Sequence, residues 1–235
     1  MSDIADLADL ILSELQEHSQ VSGPSPELWS YRRPILLPLS PIPGNPASNK
    51  LSPPLFPCHR FGLGVTKSGD IYIYGGWKPE HTDIVYHYSA KDNTVTVLQC
   101  SGDNPGARYD HAMTMVGSSV LALHGGIAAI GNRGRKIDDS SLFLFNLVSR
   151  KWLKISTAGK APGPRQHHSV AIIGTTIFIF GGEEDSRGNE LWAFDLKTIH
   201  SRPKWELITP SSTEKPPPRN TSVLVPYQNK LMVFV

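Results

Sequence analysis

The stretch Ile71-Tyr72-Ile73-Tyr74-Gly75-Gly76 is an apolar tetrad followed by a glycine pair, and the chain repeats it. LALHGG occupies 121–126 and IFIFGG occupies 177–182, so the first glycines are 50 and then 56 residues apart. The last five residues, LMVFV at 231–235, begin the tetrad a fourth time. Repetition at a nearly fixed period indicates similar supersecondary units that stack on one another.

Each unit divides into four segments, A to D, that are rich in β-branched and aromatic residues, which favours strands over helices. Segment B is the tetrad, and short turns with Gly, Asp or Asn join A to B and C to D. The predicted strands are 62–67, 71–74, 84–89 and 94–99 in the first unit, 111–116, 121–124, 142–147 and 151–155 in the second, and 168–173, 177–180, 191–196 and 204–208 in the third.

The tetrads predict how the sheets pack. IYIY and IFIF have no polar residue at alternate positions, so both faces of each sheet need a cover. Copies of the same sheet arranged around an axis supply it, which makes each unit one blade of an all-β propeller. The blades span about 56–104, 105–160, 161–214 and, in part, 215–235. Because about three and a half four-stranded blades do not close a ring, we expect a fragment or part of a larger assembly.

The units resemble the kelch repeat. The tetrad with its glycines, the tryptophans of segment D (Trp152 and Trp205) and the sequences Pro105–His111 and Pro164–His168 carry the resemblance over 56–235. It implies a kelch-type β-propeller. With the proline-rich linkers, PELWSYRR at 26–33 is most similar to fungal cell-end and cell-fusion kelch proteins, which implies a role in cell polarity.

The N-terminal 55 residues differ from the repeats. Residues 1–22 predict a short amphipathic helix or a tail, and 23–55 is a proline-rich linker, so we expect a mostly disordered leader. A strand is predicted at 28–31, where Trp29 is a candidate for the outer strand of the last blade.

Composition narrows the partners and the compartment. The net charge is +2 with both signs mixed, so nothing calls for nucleic acid. The two cysteines form no disulfide framework, the start of the chain lacks secretory features, and no run approaches the length of a membrane span. We therefore expect a cytoplasmic protein, with the cell cortex as one location, that has protein partners and no membrane insertion. Self-association is left open.

The longest connections predict where a partner binds. In an antiparallel blade the B–C loops (77–83, 127–141 and 183–190) and the D–A loops (101–107, 157–164 and 209–218) share one end. A docking loop and a solvated insertion are equal alternatives for 127–141, the longest of them. The candidate partner-binding residues in the B–C loops are Trp77, Arg133, Arg135, Lys136, Asp138, Glu183 and Asp185.

An arginine precedes each segment A, at positions 60, 108, 165 and 219. In kelch proteins that bind acidic peptides, arginines at the equivalent place take part, so the resemblance makes Arg60, Arg108 and Arg165 further candidates. The alternative is that each arginine binds a carbonyl or an acidic group between blades. The repeat explains His111 and His168 better than metal binding does.

Catalytic motifs are missing from the sequence: it has no phosphate-binding loop, no H-E-x-x-H and no G-x-S-x-G. We therefore predict a non-enzymatic protein–protein interaction scaffold without cofactor or metal. Two alternatives stay open, a substrate-recognition adaptor of a ubiquitin ligase and a kelch-propeller metalloenzyme of the oxidase or specifier type. Tyr109, His111 and Cys100 are the nearest approach to a copper site.

Overall fold

The structure, a computed structural model, describes residues 33–77, 83–130, 133–136, 140–183, 187–209 and 215–234. The first blade is a five-stranded sheet, and its strands are β1 (Ile35–Leu36), β2 (Gly62–Val65), β3 (Ile71–Tyr74), β4 (Val85–Ser89) and β5 (Thr94–Leu98). The order across the sheet is β1-β5-β4-β3-β2. Strands β2 to β5 are antiparallel neighbours, whereas β1 runs parallel to β5.

The second blade repeats this plan and adds a small sheet. Its strands are β6 (Ser101–Gly102), β8 (Ala112–Val116), β9 (Val120–His124), β12 (Leu142–Asn146) and β13 (Lys151–Ile155), in the order β6-β13-β12-β9-β8. The small sheet contains β7 (Arg108–Tyr109), β10 (Ile127–Ile130) and β11 (Arg133–Lys136), in the order β11-β10-β7.

The third blade has four strands and the fourth has two among the described residues. They are β14 (Ser169–Ile173), β15 (Thr176–Phe180), β16 (Leu191–Asp195) and β17 (Trp205–Ile208), then β18 (Val223–Tyr227) and β19 (Lys230–Phe234). A short 3₁₀ helix, Leu196–Thr198, follows β16. The inner strands β2, β8, β14 and β18 are neighbours in succession. Consecutive blades therefore stand side by side at their inner strands, as in a propeller.

The strand prediction is confirmed. Each of the twelve predicted segments contains an observed strand, and the bounds differ by at most two residues. The prediction of a loop over 127–141 is wrong. There β10 and β11 form a hairpin, with Ile127 opposite Lys136 and Ile130 opposite Arg133. The hairpin forms because β10 also pairs with β7, so its backbone has partners on both sides.

The core lies between the blades. Tyr74 of the first blade packs with Leu121, Leu123 and Trp152 of the second, and Trp152 is fully buried. Ala122, between those leucines, faces the third blade and packs with Ile177. Alternate residues of one tetrad thus belong to different interfaces. This confirms that the sheets are apolar on both faces and that neighbouring blades cover them.

Residues 34–55 lie along the first blade. The segment doubles back through a turn at 43–45, with Pro38 opposite Leu51 in an antiparallel bridge, and Leu55 is buried with residues of blade 1. The Leu37 amide donates to the Val95 carbonyl at 2.8 Å, and the Val97 amide donates to the Ser52 hydroxyl at 2.8 Å. Because these bonds satisfy the outer edge of β5, a proline-rich stretch has a stable position here. The predicted helix or tail at 1–22 and the strand at 28–31 lie outside the described residues.

The connection that enters each blade pairs with the outer edge of that blade. Ile35 pairs with Thr94, Ser101 with Lys151, and Ala158 with Lys204, and all three pairings are parallel. In each pair the second residue directly precedes one equivalent strand position. Trp152 and Trp205 occupy that position in the second and third blades, and Val95 occupies it in the first. The same arrangement therefore covers the outer strands of three blades.

Candidate interaction face

The B–C and D–A loops meet at one end of the blades, which we call the loop face. In the second blade β7, which follows the D–A loop, pairs with β10, which starts the B–C segment. Bridges between His59 and Trp77 and between Gln166 and Glu183 repeat this contact in the first and third blades. The prediction that these connections share a surface is confirmed.

The glycine pairs join each blade to the next at this face. The second glycine donates its amide hydrogen to the carbonyl of the arginine that enters the next blade: Gly76 to Arg108 at 2.8 Å, Gly126 to Arg165 at 2.8 Å and Gly182 to Arg219 at 3.0 Å. A Cβ atom on Gly75 would lie 2.3 Å from the Arg108 carbonyl oxygen. Because a side chain does not fit there, only glycine allows the blades this approach.

Arg108 and Arg165 are buried and hold their own blades together. The Nη1 atom of Arg108 donates to the Gly125 carbonyl at 3.0 Å, and that of Arg165 donates to the Gly181 carbonyl at 3.0 Å. Arg165 also pairs with Glu190 at 3.2 Å. These contacts match the alternative in which each arginine binds a carbonyl or an acidic group. They position the loops from inside.

Arg60 does not belong to that arginine series, and the sequence alignment of the first blade is wrong by two residues. The amide of Asp110 donates to the carbonyl of Arg60 at 3.0 Å, that of His167 to Asp110 at 3.2 Å, and that of Thr221 to His167 at 2.9 Å. All four residues have φ between 52° and 61°. Arg60 is therefore equivalent to Asp110, which lies two residues after Arg108.

Cys58 takes the arginine position of the first blade. Its Sγ atom lies 3.6 Å from the Gly75 carbonyl, the equivalent of the carbonyls that Arg108 and Arg165 bind. Counting back from the strand starts would have revealed this, because Arg108 lies four residues before β8 and Cys58 lies four residues before β2.

A polar network crosses the loop face from blade to blade. Asp110 binds Arg60 at 3.1 Å and the Nε2 atom of His167 at 3.2 Å, and the Nδ1 atom of His167 lies 3.3 Å from Glu183. Glu183 also accepts from Asn220 at 2.9 Å. Both nitrogens of His167 therefore face carboxylates. Of this network, sequence reasoning selected Arg60 and Glu183 only.

The electrostatics of Glu183 follow from these bonds. Burial raises the pKa of the Glu183 carboxyl, but hydrogen bonds from Asn220, His167 and Gln166 together outweigh burial and hold the pKa below its ordinary value. The Gln166 bond is 2.7 Å long. Glu183 is thus an ionised acceptor that collects donors from two blades.

Trp77 lies beside this network. Its ring meets the buried Tyr109 ring edge-on, with centroids 4.9 Å apart and an interplanar angle of 86°. The Arg60 guanidinium lies 6.0 Å from the Tyr109 centroid, and the Arg60 side chain is 51% exposed. Since Ile127 pairs with Tyr109, the hairpin β10–β11 starts at the same place. The structure therefore brings Arg60 and Trp77 close to the base of the hairpin.

The other candidates are placed less completely. Arg133, Arg135 and Lys136 form most of β11, the edge strand of the small sheet. Asp138 and Asp185 lie outside the described residues.

Comparison with known proteins identifies the repeat. The family model described as the KLHDC2/KLHL20/DRC7 Kelch-repeats domain matches residues 63–235. The chain belongs to the kelch-repeat family. Among its curated relatives, Kelch repeat-containing protein 2 of Saccharomyces cerevisiae is 30% identical over 236 residues, which cover 93% of this chain and 26% of the relative.

Two relatives from Schizosaccharomyces pombe carry names that refer to tip elongation. Tip elongation aberrant protein 1 of Schizosaccharomyces pombe is 29% identical over 180 residues, covering 75% of this chain and 15% of the relative. Tip elongation aberrant protein 3 of the same organism is 32% identical over 140 residues, covering 58% and 12%. This chain therefore spans about a quarter or less of the length of these relatives.

Burial within the kelch blades shifts the pKa values of several ionisable side chains. Burial, with the charge of Arg108, lowers the pKa of His111 to about 3, and burial with Arg165 lowers that of His124 to about 3. Burial raises the pKa of the Cys100 thiol to about 12, so this thiol is a poor nucleophile. Within the described residues, no three His, Cys, Asp or Glu side chains are grouped to hold a metal. That same part of the chain has no helix long and apolar enough to cross a membrane.

Proposed function

We propose that this kelch-repeat domain is a non-enzymatic interaction module that binds a protein partner through the loop face. The observation that carries this proposal is that the strands hold the blades together while the loops form the exposed end. The strands and glycine pairs are occupied with holding neighbouring blades, and Arg108 and Arg165 are buried. The loop face is where several connections from different blades meet and offer a joint surface.

The proposed contact residues are the loop-face candidates that are not enclosed in the blades. Arg60 is half exposed, and Trp77 and Glu183 are partly exposed beside it. Arg133, Arg135 and Lys136 add positive charge on the hairpin, and we extend the surface to Asp138 and Asp185 on sequence alone. Arg108 and Arg165 contribute by positioning the loops.

The cellular role that we propose is cell polarity or cortical organisation, with the protein on the cytoplasmic side of the cell cortex. Two relatives have names that refer to tip elongation, and the segment 26–33 resembles fungal cell-end kelch proteins. Neither observation names a partner, so the role rests on the likeness. A fluorescently tagged copy in the source cells should concentrate at growing ends; a uniform distribution would contradict the cortical role.

The interaction role is tested by exchanging residues on opposite ends of the blades. One variant carries Arg133→Ala, Arg135→Ala and Lys136→Ala, and a second carries Trp77→Ala. The matched control carries Lys91→Ala, Lys197→Ala and Arg202→Ala, three exposed cations in C–D connections at the opposite end. Proteins captured from extracts of the source cells are quantified by mass spectrometry after the folding of each variant is checked by circular dichroism.

The expected result is a set of captured proteins that both loop-face variants lose and the control retains. Equal capture by all three folded variants would contradict binding through the loop face. Sedimentation of the unmodified protein shows separately whether a second copy of this chain is among the partners.

A further inference from the structure

The hairpin β10–β11 leaves one strand edge open at the loop face. β10 lies between β7 and β11, and within the described residues β11 pairs with β10 alone. An edge strand presents backbone N–H and C=O groups that an added strand can bind. The sequence of β11, Arg-Gly-Arg-Lys, is cationic at three of its four positions.

The register shows which backbone groups of β11 face outward. In the first blade Trp77 and His59 exchange both backbone hydrogen bonds, at 2.7 Å and 3.4 Å. Ile127 and Tyr109 are the equivalent pair in the second blade. Because bonding directions alternate along a strand, Ile127 bonds toward β7 and Ala128 bonds toward β11.

The same alternation continues onto β11. Ala128 is opposite Arg135, and Ile130 is opposite Arg133, so these two arginines bond inward to β10. Gly134 and Lys136 then present their N–H and C=O groups to the open edge. Gly134 has no side chain to obstruct an approaching backbone.

We propose that β11 binds an acidic, extended peptide segment of a protein partner by strand addition. The outward backbone groups of Gly134 and Lys136 supply the hydrogen bonds, and the positive charge of β11 selects an acidic sequence over a neutral or basic one. This inference rests on the proposed interaction role and deepens it, since it states the partner's chemistry and the mode of binding.

The charge requirement is tested with a labelled peptide of alternating Glu and Thr, against a peptide of alternating Lys and Thr. We expect the full chain to bind the acidic peptide and not the basic one. Arg133→Gln with Arg135→Gln and Lys136→Gln should weaken binding about tenfold or more. The control Lys91→Gln, Lys197→Gln and Arg202→Gln changes the net charge equally and should bind like the unmodified chain. Equal losses in both variants would overturn the assignment to β11.

The backbone requirement is tested at Gly134. Gly134→Pro removes the outward N–H group and should weaken acidic-peptide binding about tenfold, whereas Gly134→Ala keeps this group and should bind nearly normally. Matched thermal unfolding of the two variants shows that the blade is intact. A chemical control uses two versions of the acidic peptide, one with N-methyl groups on its odd-numbered residues and one with N-methyl groups on its even-numbered residues. The version whose methyl groups replace the N–H groups that bond to β11 should not bind, and the other version should bind.

Two results would overturn strand addition. One is equal affinity of Gly134→Pro and Gly134→Ala with both methylated peptides bound, and the other is equal binding of an oligonucleotide of the same charge and length. Either result shows attraction by charge alone. The interaction role fails separately, when the Trp77→Ala variant and the hairpin variants all capture the same proteins as the control.

Discussion

A carbonyl oxygen sets the identity of the residue at each blade junction. At Gly125 the backbone has φ of 70°, and an added Cβ would lie 2.5 Å from the Arg165 carbonyl oxygen and 2.5 Å from the His168 ring. Gly174 has φ of 58°, but an added Cβ there meets nothing within 4 Å. A comparison of Gly125 with Gly174 therefore separates the cost of backbone strain from the cost of a steric clash.

Gly125→Ala should lower the free energy of unfolding by about 3 kcal/mol or more, because strain and clash add. Gly174→Ala should cost about 1 kcal/mol, since only the left-handed backbone is penalised. Urea denaturation followed by tryptophan fluorescence measures both. Similar losses in the two variants would show that the junction relaxes and that close approach is not what requires glycine.

His124 makes stability depend on pH. Its folded pKa of about 3 lies below the ordinary value of 6.5, so between these values the unfolded chain binds a proton that the folded chain excludes. This contribution to stability is complete above about pH 6.5 and decreases as the pH falls, by about 1.4 kcal/mol per pH unit for each such proton. His111 and His168, also buried with lowered pKa values, act in the same direction.

The free energy of unfolding should fall between about pH 7 and about pH 5, and we expect His124→Phe to make this fall smaller by the contribution of one proton. Phe180 takes the equivalent tetrad position, so the fold accepts this side chain there. Denaturation midpoints at several pH values provide the measurement. An unchanged pH slope would show that His124 protonates without unfolding.

At the scale of single elements, strand β13 alternates between a buried and an exposed face. Trp152 is fully buried against Tyr74 and Phe145, with ring centroids at 5.0 Å and 4.8 Å, while the next residue, Leu153, is 47% exposed. The strand therefore contains its own control for what the blade interface contributes.

Trp152→Ala should destabilise the domain by about 3–5 kcal/mol, because it removes a large ring and leaves a cavity between the first two blades. Leu153→Ala on the exposed face should cost about 1 kcal/mol or less. Calorimetric unfolding compares the two variants. If Leu153→Ala proved as costly, the assignment of the two faces of β13 would be incorrect.

The elements also show why sequence reasoning succeeds for the blades and fails at the loop face. The tetrads are predictable because four apolar residues before two glycines leave few alternatives. The hairpin β10–β11 is not, since its Ala-Ala and Arg-Gly-Arg-Lys segments lack an apolar alternation, and it forms through backbone pairing with β7. Asp110 and His167 were missed for a similar reason, because a chain of backbone bonds across blades brings them together.

For the whole molecule, the polar network ties the entry of each blade to its neighbours. Asp110 is central, since its buried carboxylate contacts Arg60 of the first blade and His167 of the third, and its side chain is only 5% exposed. Among the described residues, Arg60 and His167 are the two basic side chains that pair with this carboxylate.

Asp110→Asn should lower the free energy of unfolding by about 1–3 kcal/mol, because a buried acceptor for two donors loses its charge. In a double-mutant cycle with His167→Gln, the loss of stability in the double variant should be smaller than the sum of the two single losses, by about 0.5 kcal/mol or more. A matched cycle with Thr175→Ala at the opposite end should be additive. Additive losses in both cycles would mean that Asp110 and His167 do not act together.

The parallel pairing of each incoming connection with the outer strand of its blade has a consequence for how such chains change in evolution. Ser101–Gly102 leaves the first sheet and covers the rim of the second, and Ala158 does the same for the third. A tandem duplication of one unit would carry along the cover for its successor. The number of units can thus increase or decrease by one without leaving an unpaired outer strand that would promote aggregation.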